Sequence, residues 1–252
     1  MVGYLDLEGT YAWQPQFQKL AFFRLVPSFS GLKYLSTPFT LRRWEKLVRS
    51  FPGKLFFLGE GSYHHLSLSL LARRAGEGPL CLLVCDRHLD SFPAPEGYIT
   101  CGSWLNSALR LPGVRKVIVL GCEEEPPEKP KTIVLLSPAA WQYWFRHDPR
   151  LITALIPTTR VYLSLDKDVL ELGGGSWGKG KVPVSFFFSF LHWLLRRYQL
   201  VGMDVCGEPV PRHPWPTFTE KEVIAEHERV NLALCHLVAR SLPSRKHRVR
   251  AS

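Results

Sequence analysis

Six short apolar runs, spaced by segments with helical patterning, constrain this chain more than anything else in it. Lys54 to Leu58, Leu80 to Cys85, Lys116 to Gly121, Thr132 to Leu136, Val161 to Leu165 and Leu200 to Val205 have strand length. Most are apolar at consecutive positions rather than at every second one, which is the signature of strands buried on both faces, as in a parallel sheet. Between and around them Thr40 to Ser50, His64 to Arg74, Ser103 to Arg110, Pro138 to Arg146, Val184 to Tyr198 and Thr219 to Ala239 read as helices, the last capped by Thr217 or Thr219 with Glu220 and Glu222 in its first turn. The order strand, helix, strand predicts an α/β class chain: three-layer α/β/α with a mostly parallel central sheet. At 252 residues and 46% hydrophobic content, one core and one domain over residues 1–252 is the simplest organisation, ending in a short basic tail at 243–252.

Such a sheet also predicts where chemistry sits, because ligands of open α/β folds bind beyond the carboxyl ends of the strands. Four of the runs end in polar clusters: Gly59 to Ser67 (GEGSYHHLS), Asp86 to Phe92 (DRHLDSF), Asp166 to Glu171 (DKDVLE) and Cys206 to Pro211 (CGEPVP). In extended chain Asp86 and Asp90 would stand about 13 Å apart, so they share a site only if the chain curls after Asp86. Five carboxylates in one crevice repel and cannot be buried without cations, and Lys167 and Arg87, alternating with the acids, would point away from them. Two divalent ions supply the missing positive charge. Imidazole and carboxylate ligands, with no thiolate required, suit manganese, iron or zinc better than calcium or magnesium. The alternative, acids that cap helices and pair at the surface, fits any one motif; it fits less well two motifs that each follow a buried strand.

These residues resemble a known family. Asp86-Arg87-His88-Leu89-Asp90 is similar to the Asp-Ala-His-Xaa-Asp motif of the ureohydrolases (arginase, agmatinase, formimidoylglutamase), and Ser164-Leu165-Asp166-Lys167-Asp168 to their Ser-Xaa-Asp-Xaa-Asp motif. Gly61 to His65 resembles the family's Gly-Gly-Asp-His-Ser, and Gly202-Met203-Asp204-Val205 with Glu208 its late Gly-Leu-Asp-Xaa-Xaa-Glu strand; order and spacing agree from about residue 55 to 240. The resemblance implies an arginase-like domain with two metal ions, Mn2+ in the family. It implies that Asp86 and Asp166 bridge both ions, with His64 and Asp90 completing one and His88 and Asp168 the other. A pair of ions of this kind brings the pKa of water toward neutrality and so supplies the nucleophile for cleaving a linear carbon–nitrogen bond, typically of a guanidino compound. Glu208 would pair with the cationic substrate, as a bidentate carboxylate suits a guanidinium. Relatives form trimers or hexamers, which implies a homo-oligomer.

The chain departs from the pattern at several points. Cys101-Gly102 stands where relatives carry a proton-shuttling His-Gly pair, so Cys101 or His65 would take over that role; either His64 or His65 can be the ligand, with His64 preferred. Glu208 falls one residue late and needs a bulge at Gly207, and Ser91 stands where arginases place an Asn, which leaves arginine specificity unsupported. Two other functions stay open. The His64-His65 pair suits amide hydrolysis of acetylated amines, as in deacetylases of the same architecture. A binding protein without catalysis could instead use the net charge of +10 to hold nucleic acid or another anion, although that charge is diffuse and densest in the terminal SRKHRVRAS.

The remaining features exclude more than they assign. No stretch approaches the roughly 20 apolar residues of a membrane span and the start lacks a basic and then apolar leader, so an unexported, cytoplasmic protein is expected. Six cysteines without CxxC spacing read as reduced core thiols. Pro126, Pro127 and Pro130 punctuate a loop, and Gly173 to Gly180 (GGGSWGKG) is a flexible segment without phosphate-loop spacing. Trp141 and Trp144 read as core or subunit contacts, and His227 and His236 as structural or exposed.

Overall fold

The computed structural model describes residues 1–124 and 133–240; the proline loop and the basic tail lie outside the described residues. The described residues form ten strands and eight α-helices. The strands are β1 (Val2–Leu5), β2 (Phe23–Leu25), β3 (Leu35–Ser36), β4 (Leu55–Phe57), β5 (Leu80–Cys85), β6 (Ile99–Thr100), β7 (Val114–Leu120), β8 (Ile133–Leu136), β9 (Arg160–Asp166) and β10 (Gln199–Cys206). The helices are α1 (Pro15–Leu20), α2 (Pro38–Arg49), α3 (Ser67–Gly76), α4 (Trp104–Ala108), α5 (Pro138–His147), α6 (Pro149–Leu155), α7 (Val184–Arg197) and α8 (Phe218–Arg240).

Eight strands form one sheet in the order β2-β1-β4-β10-β9-β5-β7-β8, with every pairing parallel. β3 and β6 make a separate antiparallel pair. Successive side chains of a strand face opposite layers, and β5 shows the result. Cys81, Leu83 and Cys85 pack with Phe17 of α1, Trp141 of α5, Phe187 of α7 and Leu234 of α8, whereas Leu80, Leu82 and Val84 pack with Leu71 of α3 and Trp104 of α4. The expected three-layer α/β/α fold with a parallel sheet is what the chain adopts. The four strands whose ends carry the polar clusters, β4, β10, β9 and β5, are consecutive neighbours in its centre, so all four clusters emerge along one rim.

Two differences from the sequence reading bear on the site. β1 and β2 extend the sheet by two short strands near the amino terminus, where runs of 4 and 3 residues are too brief to show a period. The helix expected from His64 starts instead at Ser67, after a tight 3₁₀ segment over Gly61–Leu66. At its other end the fold is as expected: Thr217 caps α8, with its Oγ1 accepting from Glu220 N–H while the Glu220 carboxylate accepts from Thr217 N–H.

Candidate metal centre

Both acidic motifs curl by the same local device. Asp86 Oδ1 accepts the N–H of His88 at 2.7 Å, and Asp166 Oδ1 accepts the N–H of Asp168 at 3.0 Å. An Asp that hydrogen-bonds the backbone two residues on turns the chain back on itself, which is why spacing of two can place both side chains in one crevice. The first motif turns again at Asp90, which adopts a left-handed φ of 51°. The backbone of α4 takes up its carbonyl through Leu105 N–H at 3.1 Å, and the Trp104 indole donates to Asp90 Oδ2 at 2.8 Å.

The result is two donor sets that share Asp86. In the first, His64 Nδ1 lies 3.1 Å from Asp86 Oδ2, 2.9 Å from Asp90 Oδ2 and 3.9 Å from Asp166 Oδ2. In the second, His88 Nδ1 lies 3.6 Å from Asp86 Oδ1 and 3.0 Å from Asp168 Oδ2. Each set, His64/Asp86/Asp90 and Asp86/His88/Asp168, keeps its ligand atoms within 4.8 Å of one another, the reach of one cation. A cavity of about 190 Å³ opens onto both, walled also by Phe92, Cys101, Glu124 and Trp177.

The electrostatics of this cluster call for cations. Asp86 Oδ2 and both oxygens of Asp168 are buried with no hydrogen-bond partner, which is costly for carboxylates. Burial and the Asp86 charge push the Asp90 carboxyl up to about 7, and burial with the charges of Asp166 and Asp86 pushes Asp168 up to about 8. The close approach of the Asp168 and Asp86 carboxylates to His88 raises its imidazole to about 11. Carboxylate oxygens this crowded and this little compensated, with imidazole nitrogens beside them, form a donor set that fits divalent ions.

Behind the donors stands a hydroxyl network. His64 Nε2 meets Ser164 Oγ at 2.9 Å, and Ser164, Ser67 and Tyr162 all donate to the buried Asp204 carboxylate at 2.7 Å. With Ser164 donating its only proton to Asp204, it accepts from His64 Nε2–H, and Nδ1 is the nitrogen turned toward the acids. Fixing a ring's tautomer through its far nitrogen is how metal-binding histidines are oriented.

Two expected site residues lie elsewhere. His65 turns away from His64 because the 3₁₀ segment sends adjacent side chains in different directions; its Nε2 sits 2.9 Å from Ser36 Oγ, and it does not line the cavity. This removes the basis for a His-His pair acting on acetylated amines. Glu208 is fully buried, with Lys167 Nζ 2.5 Å from its Oε1 and with Asn231 and Gln14 donating to its two oxygens at 2.7 and 2.9 Å. Lys167 does point away from the acids, and it lands on the carboxylate expected to receive a substrate cation. Gly207, just beyond β10, adopts a left-handed φ of 83°; a Cβ there would stand 2.3 Å from Asp166 Oδ1.

Sequence reasoning also missed residues that the fold brings in. Cys206 is paired in register with Asp166, and its Sγ donates to Asp166 Oδ2 at 3.3 Å. Trp177, from the glycine-rich segment, covers the mouth 6.0 Å from the His88 ring. Gly61 permits this, since a Cβ there would stand 2.8 Å from Trp177 Cδ1 and 2.9 Å from Asp166 Oδ2.

The fold has counterparts among known proteins. Proclavaminate amidino hydrolase from Streptomyces clavuligerus superposes with a TM-score of 0.66 at 16% identity, over 90% of this chain and 78% of that one. Formimidoylglutamase from Bacillus subtilis superposes with a TM-score of 0.64 at 13% identity, over 96% and 87%. The chain is a divergent ureohydrolase-fold protein. An uncharacterized protein of Thermotoga maritima is 33% identical over 230 residues, 91% of this chain and 86% of its own length, and the two belong to one family within that fold. No family model matches the sequence. In this chain the acidic motifs gather at the carboxyl rim and the Glu208 carboxylate is closed off by Lys167. All six cysteines are free, five of them buried, and among the described residues no helix is long and apolar enough to cross a membrane.

Proposed function

We propose that this chain is a hydrolase that holds two divalent cations and cleaves a linear carbon–nitrogen bond in a small molecule. The observation that carries the reading is the shared Asp86, whose two oxygens face separate donor sets. His64 and Asp90 would complete one cation and His88 and Asp168 the other, with Asp166 beside His64. When bound, such a pair activates water near neutral pH and polarises the bond under attack. The fold likeness to an amidino hydrolase and a formimidoylglutamase supports carbon–nitrogen chemistry.

The chain's own residues then divide the remaining tasks. Trp104 and the Ser164–Asp204 network hold Asp90 and His64 in place. Trp177 and Phe92 wall the cavity and limit water around the substrate. Burial and the Asp90 charge push the Cys101 thiol up to about 11, so it is protonated at neutral pH and serves as a donor to a leaving amine rather than as a base. With Glu208 engaged by Lys167, the wall carboxylate outside the donor sets is Glu124, whose Oε2 also accepts from Leu89 N–H. A guanidino or amidino cation therefore meets Glu124.

Elemental analysis of protein loaded with Mn2+, Zn2+ or Fe2+ tests the site: two ions per chain are expected, and at most one in Asp86→Ala. No bound ion under any loading would end the reading. Panels of guanidino compounds and acetylated amines, scored for urea and for acetate, test the bond; acetate without urea would replace the guanidino assignment.

A further inference from the structure

The His64 side of the centre contains a sulfur atom. Cys206 ends β10 directly opposite Asp166 and is fully buried. Its Sγ, a ring nitrogen of His64 and a carboxylate oxygen of Asp166 all lie within 4.8 Å of one another. Tetrahedral zinc, with bonds of about 2.0–2.3 Å, spaces its ligands roughly 3.5 Å apart, so small rotations would bring these three atoms onto one ion. The thiol is not an isolated feature. His64 Nδ1 also faces the buried Asp86 Oδ2, which has no hydrogen-bond partner, and the backbone at Gly207 runs so close to Asp166 that a Cβ there would stand 2.3 Å from its Oδ1.

We propose that Cys206 coordinates, as a thiolate, the cation held by His64 and Asp166, and that this half of the centre selects Zn2+ or Fe2+ over Mn2+. The proposal rests on the two-cation reading above. Coordination breaks the S–H bond and forms a metal–sulfur bond, with one proton released to solvent per ion bound. Thiolate is a soft ligand that favours zinc and iron, whereas manganese favours carboxylate and carbonyl oxygen. One sulfur at one end of an otherwise nitrogen and oxygen centre therefore makes the two positions chemically unequal, and a mixed-metal pair becomes the natural occupancy.

Cobalt substitution tests this. Protein stripped of metal and reloaded with Co2+ is expected to take up two ions and show an intense near-ultraviolet sulfur-to-cobalt charge-transfer band. The band should persist in Cys101→Ser and vanish in Cys206→Ser, which should still bind cobalt. In the same variant Zn2+ affinity should fall by about 100-fold or more and Mn2+ affinity by less than tenfold, exceeding the roughly 10- to 100-fold cost of losing an outer-shell partner. X-ray absorption of zinc-loaded wild type needs no variant: a sulfur shell near 2.3 Å supports the proposal, and nitrogen and oxygen alone near 2.0–2.1 Å overturn it. Two bound cobalt ions without the band overturn the thiolate assignment alone. No bound cobalt overturns the two-cation reading itself.

Discussion

Lys167→Met should show that Glu208 belongs to the framework rather than to the substrate. In the native chain the Glu208 carboxylate has no exposure and meets three donors, the Lys167 ammonium at 2.5 Å and the Asn231 and Gln14 amides at 2.7 and 2.9 Å. Methionine matches the length of the lysine stem and removes only its charge, leaving a buried carboxylate on two neutral donors. Removing one partner of a buried pair costs about 3–5 kcal/mol, chiefly through the uncompensated charge. The sign of the pH dependence follows from Glu208. Natively, although burial alone would raise it, the Lys167 charge holds its carboxyl below the ordinary 4.5, so its contribution is present above that pH and lost below it. Without Lys167 the folded pKa rises above 4.5, the penalty falls on the ionised form, and the gap between variant and wild type widens from pH 4.5 toward neutrality. Urea unfolding at pH 5 and pH 7.5 measures that gap. Lys167→Met/Glu208→Gln, which removes both charges, should recover most of the loss at pH 7.5. A single variant within about 1 kcal/mol of wild type, or a double variant no better than the single, would refute the argument and return Glu208 to the substrate.

Three further outcomes follow from the geometry. Trp104→Phe keeps the ring packing of α4 but withdraws the indole donor from Asp90 Oδ2, so metal affinity should fall about 10- to 100-fold by calorimetric titration while the fold survives. Gly61→Ala should drive Trp177 off the cavity mouth or push Asp166 aside, since the new methyl stands within 3 Å of both; a red shift in tryptophan emission with about tenfold weaker metal binding is the expected reading. His227 is buried, with Nε2 at 3.0 Å from the Gly173 carbonyl, and burial together with the Lys167 charge lowers it from 6.5 to about 4. The unfolded chain takes up this proton first as pH falls, so about 3 kcal/mol of stability should be lost between pH 6.5 and 4. His227→Gln should flatten that part of the unfolding profile, and an unchanged profile would contradict the assignment.

The fold was legible wherever a strand ran apolar on both faces. β5, β7, β9 and β10 were recognisable because burial between two helical layers leaves no polar position to interrupt the run, and the helices that cover them show the complementary period. β1 and β2 were not. Phe23–Leu25 is only partly buried and pairs with β1 alone at the sheet's edge, so neither length nor periodicity marks it. The missing α1 and α6, of 6 and 7 residues, fall short of two helical turns, where pattern has nothing to average over.

The site divides along a different line. Asp86, His88, Asp90, Asp166 and Asp168 could be read because each motif is local: the side chain of its first Asp builds the turn that brings the later ones inward. Contributions made across strands could not be read, because register is set by the whole sheet rather than by neighbours in sequence. Cys206 comes to Asp166, and Asp204 to Ser164, only through the pairing of β10 with β9. Lys167 shows both limits at once. Its alternation with the two acids correctly predicts that it faces away from them, yet its meeting with Glu208 and Asn231 depends on the turn at Gly207 and on where α8 docks. The centre's metal-binding potential is therefore encoded in short motifs, whereas the engagement of Glu208 by Lys167 and Asn231 is encoded in tertiary contacts 41 and 23 residues apart.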